Sequence, residues 1–478
     1  MNAKWRRRGL SSLLAVLLWP SPVLAAGLDS LLADPLQTMP ELVAQGIHLP
    51  GDTAPPPCQE PHVTTPLVLG EAVNLALCNN PQIKSAWADI KVQAGAAGEA
   101  RAAYLPTLAG SISRTNDQIH YSDSRYPASN VDRNTAQASI NWRIFDFGGR
   151  TANRQAADNL LAAALANHNA TVQRVLADVV QAYFDGITAD AALQAKTENE
   201  KLARIVLNSA QVREERGVIS QSDTLRAATS LARATLEKSR AQGDYQKTLA
   251  VLRHTLGLPG NMEISLPQEL SSNPGEKESQ DELDRWLLQA QRNHPAIIAA
   301  QKQVEAAEQR VAVARSAGLP TMNLSGNYYR NTRPGEAVTS TEAQETTLGL
   351  TVSVPIFDGF SSTYKLRGAE SLVEEKTASL ADTQRRTAAE VIKAHADATS
   401  ALRNLDSSLE LLTTAQNSLA VSQRKYDRGA ADISEILSTQ AALADAWQER
   451  IRCLAEWHSA RLRLLASAGL LGRASLTE

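Results

Sequence analysis

The chain repeats itself, and a repeat of this length restricts the fold more than any single motif does. Leu77-Cys78-Asn79-Asn80-Pro81 aligns with Gln291-Arg292-Asn293-His294-Pro295, with Asn79 over Asn293 and Pro81 over Pro295 at an offset of 214. Tyr104-Leu105-Pro106 falls on Gly318-Leu319-Pro320 at the same offset. Ile144-Phe145-Asp146 matches Ile356-Phe357-Asp358, Arg216-Gly217 matches Arg428-Gly429, Leu225 matches Leu437 and Gly257 matches Gly469, all at 212. One two-residue gap therefore aligns two units, 67–270 and 283–472. The linker 271–282 between them is rich in Ser, Glu, Pro and Gly. Residues 26–66 carry eight prolines, among them Pro50, Pro55, Pro56, Pro57, Pro61 and Pro66, and read as extended, irregular chain, and 473–478 form a short tail.

Each unit reads as helix, hairpin, very long helix, tip and helix. Pro81 opens a helix that ends before Pro106. The period then changes to 2. Ala136, Ala138, Ile140, Trp142 and Ile144 alternate with polar residues, as do Leu348, Leu350, Val352 and Val354 in the second unit. Weaker strands lead in through Leu108 to Ile112 and Met322 to Tyr328, giving hairpins over 107–146 and 321–357 with polar loops at about 116–134 and 331–345. After Gly148-Gly149 the period is helical to about Glu214, and no proline occurs from 128 to 258 or after 355. A helix of about 65 residues is roughly 100 Å long, too long for the interior of a compact domain. Much Ala and only 4% aromatic residues fit thin, closely packed helices.

Lys4, Arg6, Arg7 and Arg8, the apolar run Leu10 to Trp19 and Val23-Leu24-Ala25 read as a secretory signal peptide over 1–25. Beyond it no apolar run approaches the length of a membrane-spanning helix, so insertion must use strands. Of the aromatic residues remaining, eleven lie in 104–147 and 319–364, where they fit the interfacial girdles of outer-membrane barrels. Four strands cannot close a barrel, and open edges are not tolerated in lipid. Two or more chains must therefore share one barrel. A dimer of eight strands and a trimer of twelve both satisfy this.

The combination resembles the TolC-like outer-membrane efflux proteins. The residues that carry the resemblance are Ile144 to Gly149, Val354 to Gly359, and the tip segments Arg216 to Leu225 and Tyr426 to Leu437, within a match over about 67–472. It implies a mainly α chain with a β-barrel part: a homotrimer closing one 12-stranded barrel, with an antiparallel helical tunnel in the periplasm. It also implies a passive exit duct working with a periplasmic adaptor and an inner-membrane ATP-binding-cassette transporter. Among family members the chain looks like those dedicated to type I secretion of a polypeptide. In this family Asp223 and Tyr426 fall on positions that hold the periplasmic end closed, and Glu435 on a carboxylate that rings the pore. Arg216, Gly217, Arg428 and Gly429 lie where partners dock. Ala431 departs from the family, standing where an Arg is expected to bond across the tip. Plainer readings of the same residues are a helix N-cap for Asp223, a solvated first-turn acid for Glu435 and a structural turn for the glycines.

The net charge of −3 offers no basic field for nucleic acid. No metal-binding, phosphate-loop or nucleophile–base pattern is present, so neither enzyme activity nor a cofactor is expected. Cys58, Cys78 and Cys453 leave open both a Cys58–Cys78 bridge and free thiols. Two alternatives remain: a drug or small-molecule efflux channel, and a soluble periplasmic coiled-coil adaptor.

Overall fold

The computed structural model describes residues 34–38, 58, 65–120, 129–267, 283–331, 343–428, 430, 433–472 and 475. The signal peptide, the linker, Gly429 and Ala431 lie outside the described residues, as does most of the segments 26–66 and 473–478.

The first repeat runs α1 (Leu69–Asn79), α2 (Pro81–Ala102), β1 (Thr107–Ile119), β2 (Ser129–Phe145), α3 (Gly149–Glu215) and α4 (Gln221–Leu256). The second runs α5 (Leu283–Asn293), α6 (Pro295–Ser316), β3 (Thr321–Asn331), β4 (Ala343–Ser353), α7 (Ser361–Asp427) and α8 (Ile433–Ser467). Both long helices, α3 and α7, have 67 residues, which makes each about 100 Å at 1.5 Å per residue. The helix expected to open at Pro81 is α2, and a further helix, α1, precedes it, as α5 precedes α6 in the second repeat. Pro81 and Pro295 cannot donate the backbone hydrogen bond that would continue α1 or α5, and each instead starts the next helix at its first position. Asn80 and His294 sit at the two junctions. The Asn80 side chain accepts from Gln82 N at 2.8 Å and donates to Thr255 O at 2.8 Å. His294 Nδ1 accepts from Ala296 N at 3.2 Å.

The described chain forms two compact units. One is helical and holds the main core. Val172, Leu176 and Val179 of α3 and Val391, Ala398 and Leu405 of α7 meet α1, α5 and the ends of α4 and α8 there, around the buried Trp457 and Trp286. Away from this core the buried residues of the long helices are mostly alanines, such as Ala203, Ala210 and Ala415, so the packing is thin. Gly257 and Gly469, equivalent in the two repeats, end α4 and α8 with φ of 71° and 75°. A Cβ on Gly257 would lie 2.6 Å from the Asn79 carbonyl, and one on Gly469 would lie 2.9 Å from Pro295 Cδ. Each repeat thus closes by pressing a glycine against its first helix junction. A disulfide joins Cys58 to Cys78 of α1, and Cys453 is free and buried.

The other unit is the sheet, antiparallel throughout, in the order β1-β2-β3-β4. β1 and β2 are longer than the alternation suggested. They run to Ile119 and from Ser129, where a loop over about 116–134 was expected, so that loop is much shorter. The residues missed, among them Asn116, Gln118, Asp132, Arg133 and Asn134, are mostly polar, and alternation therefore could not mark them.

Candidate functional site

The sheet register sorts side chains into two unlike faces. Partners directly across a ladder share a face. Leu108, Ile140, Gly326 and Leu348 form one row, Trp142, Leu324 and Leu350 a neighbouring row, and Met322 and Val352 the next. On the opposite face Ala109, Ser139, Asn327 and Thr347 form a row, followed by Thr107, Asn141, Ser325 and Gly349. One face is apolar and the other polar, yet among the described residues the apolar one is left open: Leu108 is 79% and Leu348 77% exposed. The strand residues singled out by sequence, Ala136, Ala138, Ile140, Trp142, Leu348, Leu350 and Val352, all lie on this apolar face, and Val354 follows β4 with its side chain exposed. Beyond Ala136 the same face turns polar, through Asn134 with Arg114 and Asp132 with Asn116. The outer edges of β1 and β4 pair with no other strand among the described residues.

Arg150 and Asp146 anchor the strand-to-helix turn of the first repeat. A bulge between Arg143 and Phe145 interrupts the ladder to β3. The Arg150 guanidinium donates to Arg143 O at 2.6 Å, Ile144 O at 3.0 Å and Asp146 Oδ2 at 3.1 Å, and it lies 5.0 Å from the centre of the Tyr104 ring. Trp142 Nε1 donates to Tyr104 O at 2.9 Å, tying the same knot from β2. Asp146 also accepts from Arg150 N, and in the second repeat Asp358 accepts from Ser362 N at 2.7 Å. That bond holds the Asp358 carboxyl below its usual range. Phe147-Gly148 and Gly359-Phe360 are both left-handed pairs, with glycine and phenylalanine exchanged between repeats. Sequence reading missed Arg150. Its four-residue spacing from Asp146 was the available signal.

The helical tips lie in the other unit. Gly217, at φ 71°, lets α3 end in a reversal closed by Gly217 N to Glu214 O and Val218 N to Arg213 O. The same closure recurs as Ala430 N to Lys425 O. Arg216 and Arg428 are exposed at these reversals. Asp223 is the third residue of α4, and its Oδ2 accepts from Ser220 N at 3.3 Å and Ser220 Oγ at 2.8 Å, a reciprocal cap with Ser220 at the N-cap position. Tyr426 packs with Val206, Leu207, Ile219 and Leu437 around buried Ala210 and Ala227, and the Arg213 guanidinium lies 4.3 Å from its ring centre. No hydrogen bond joins Asp223 to Tyr426 among the described residues. Glu435 accepts from Ser422 Oγ at 3.0 Å and stands 3.5 Å from Lys425 Nζ. Arg213 and Lys425 are partners that sequence reading did not name. A third link lies farther from the tip, where Lys196 of α3 reaches Glu237 of α4 at 3.4 Å and Asp445 of α8 at 3.3 Å.

Among the described residues no helix is long and apolar enough to cross a membrane, and no group of three or more metal-ligating side chains is present. Comparison with known proteins then decides the class. The family described as Outer membrane efflux protein matches residues 72–258 and 286–470, one stretch per repeat. The chain belongs to this family. It is 33% identical to protein CyaE of Bordetella pertussis, over 98% of this chain and 97% of that one. It is 22% identical to the alkaline protease secretion protein AprF of Pseudomonas aeruginosa, over 86% of each chain. The solved outer-membrane channel CmeC of Campylobacter jejuni superposes with a TM-score of 0.72 at 16% identity, covering 89% of this chain and 95% of that one. The protein is therefore an outer-membrane efflux channel with a TolC-like fold, a transport duct rather than an enzyme, and its helical tunnel is periplasmic. The soluble-adaptor alternative falls with this result.

Proposed function

We propose that three copies of this chain close one 12-stranded barrel and form the outer-membrane exit duct of a type I system that secretes a polypeptide. The observation that carries the reading is the sheet with one apolar face, one polar face and two open edges. Such a sheet is stable in lipid only when further copies cover its edges, apolar face outward and polar face toward the lumen. Secretion of a polypeptide, rather than a drug, is supported by the full-length likeness to CyaE and by the likeness to a protease secretion protein. The duct is passive. Energy comes from an inner-membrane ATP-binding-cassette transporter, engaged through a periplasmic adaptor that meets the tips at Arg216, Gly217, Arg428 and Gly429. Asp223, Tyr426 and Glu435 form the gate, with Arg213 against Tyr426 standing in for the Arg absent at position 431. Two measurements test the reading together. The purified protein should give discrete, cation-leaning openings in a planar bilayer. Deletion of its gene should remove a secreted polypeptide from the culture medium while leaving drug tolerance unchanged. Lost drug tolerance with intact secretion would make it a small-molecule efflux channel instead.

A further inference from the structure

A cleft of about 560 Å³ in the helical unit lies between α3, the start of α6, α7 and α8. Its size is that of small-molecule sites. Its charge is unusual for this chain. Arg174, Arg386, Lys393 and Arg463 line it against a single carboxylate, Glu390, while the whole protein carries −3. Alanines 170, 177, 394 and 466 form much of the remaining wall and leave the space open. Arg174 and Arg386 are repeat equivalents, 212 positions apart, and the fold sets them in one cleft from α3 and α7.

The four cations are not equally engaged. Arg174 donates to the neutral Gln82 Oε1 at 3.2 Å. Arg463 donates to Gln181 Oε1 at 3.2 Å and stands 3.6 Å from Asp397. Arg386 and Lys393 make no ion pair or hydrogen bond among the described residues. His294 adds a neutral donor at the rim: its Nδ1 accepts from Ala296 N, so Nε2 carries the proton. The His294 ring is held below its ordinary pKa first by burial and then by the charge of Arg386, the sign expected for a positive cleft.

We propose that this cleft binds a small oxyanion with two or more phosphate or carboxylate groups, clamped between Arg174 and Arg386 and neutralised by Lys393 and Arg463. Paired guanidiniums offer bidentate geometry to either group. An occupant would bridge the two repeats, because its ligands come from both.

The test is calorimetric titration of the full-length protein in detergent at physiological salt, with pyrophosphate in one series and citrate in the other. Saturable binding with one site per chain is expected. Arg386→Gln with Lys393→Gln should weaken it by at least about tenfold, the loss of two charge-assisted contacts. Both residues are exposed, so the fold should survive. The charge-matched control Arg385→Gln with Lys365→Gln, outside the cleft, should bind as the parent does. Binding of pyrophosphate alone assigns a phosphate site, and binding of both assigns an oxyanion site. No saturable heat with either anion, or equal weakening in the control, overturns the proposal. A rise in melting temperature with pyrophosphate, absent in the cleft variant, is the independent readout.

Discussion

At the scale of single residues the two repeats are experiments on one another. Asn80 and His294 hold the same junction, but only the histidine can titrate near neutral pH. Protonated His294 could not accept from Ala296 N, and its pKa is depressed below 6.5. Its contribution to stability is therefore complete above pH 6.5 and declines as pH falls below that value, where the unfolded chain takes up a proton that the folded one resists. The charge of Arg386 adds to the effect of burial. His294→Asn copies the first repeat and should flatten the dependence, so that the variant loses less melting temperature than the parent between pH 7.5 and 5.5. Equal loss would show that the acid sensitivity lies elsewhere. Arg150 has no counterpart in the second repeat, where Ser362 stands and β4 is not bulged. Arg150→Ala removes the guanidinium from two carbonyls and from Asp146, which keeps only the backbone N–H of residue 150, and should cost about 2–3 kcal/mol, measured by denaturation in detergent. Arg150→Lys should recover little, because an ammonium cannot reach all three acceptors at once.

Among elements, the helices were the most legible in the sequence. Their 3.6-residue period and long proline-free runs were enough to place α3 and α7, and the repeat supplied the rest. The strands were legible only where one face is apolar, from Ala136 and from Leu348. Where β1 and β2 run on past that band, Asn134, Asp132 and Arg133 give no alternation to read. The tip was half legible. Ser220-Gln221-Ser222-Asp223 announces a helix start, but the cation–π contact of Arg213 with Tyr426 joins positions more than 200 residues apart and has no local signature. The four cations of the α3–α7 cleft are hidden for the same reason. Gly217 and Gly257 share φ 71°, yet a side chain at 217 meets nothing and one at 257 meets backbone at 2.6 Å. Gly217→Ala should cost about 1–2 kcal/mol from the left-handed backbone alone. Gly257→Ala should cost clearly more, and the difference between the two melting curves isolates the close approach.

For the whole molecule, the faces of the sheet make the sharpest prediction. Leu348→Arg places a charge on the apolar face and should destabilise the assembled channel by about 2–4 kcal/mol if the residue lies near mid-bilayer. Thr347→Arg, one residue away on the polar face, should leave assembly intact and shift ion selectivity toward anions. Identical effects would mean the faces are misassigned. At the tip, Asp223→Ala with Tyr426→Phe should raise conductance, and unchanged openings would remove both residues from the gate. The open edges of β1 and β4 also carry a genetic consequence. A chain whose β4 edge is blocked by proline keeps its β1 edge, so it can still join normal chains and spoil the ring it enters. Expressed at equal level with the normal gene, such an allele leaves about one assembly in eight free of it, and should behave as dominant rather than recessive.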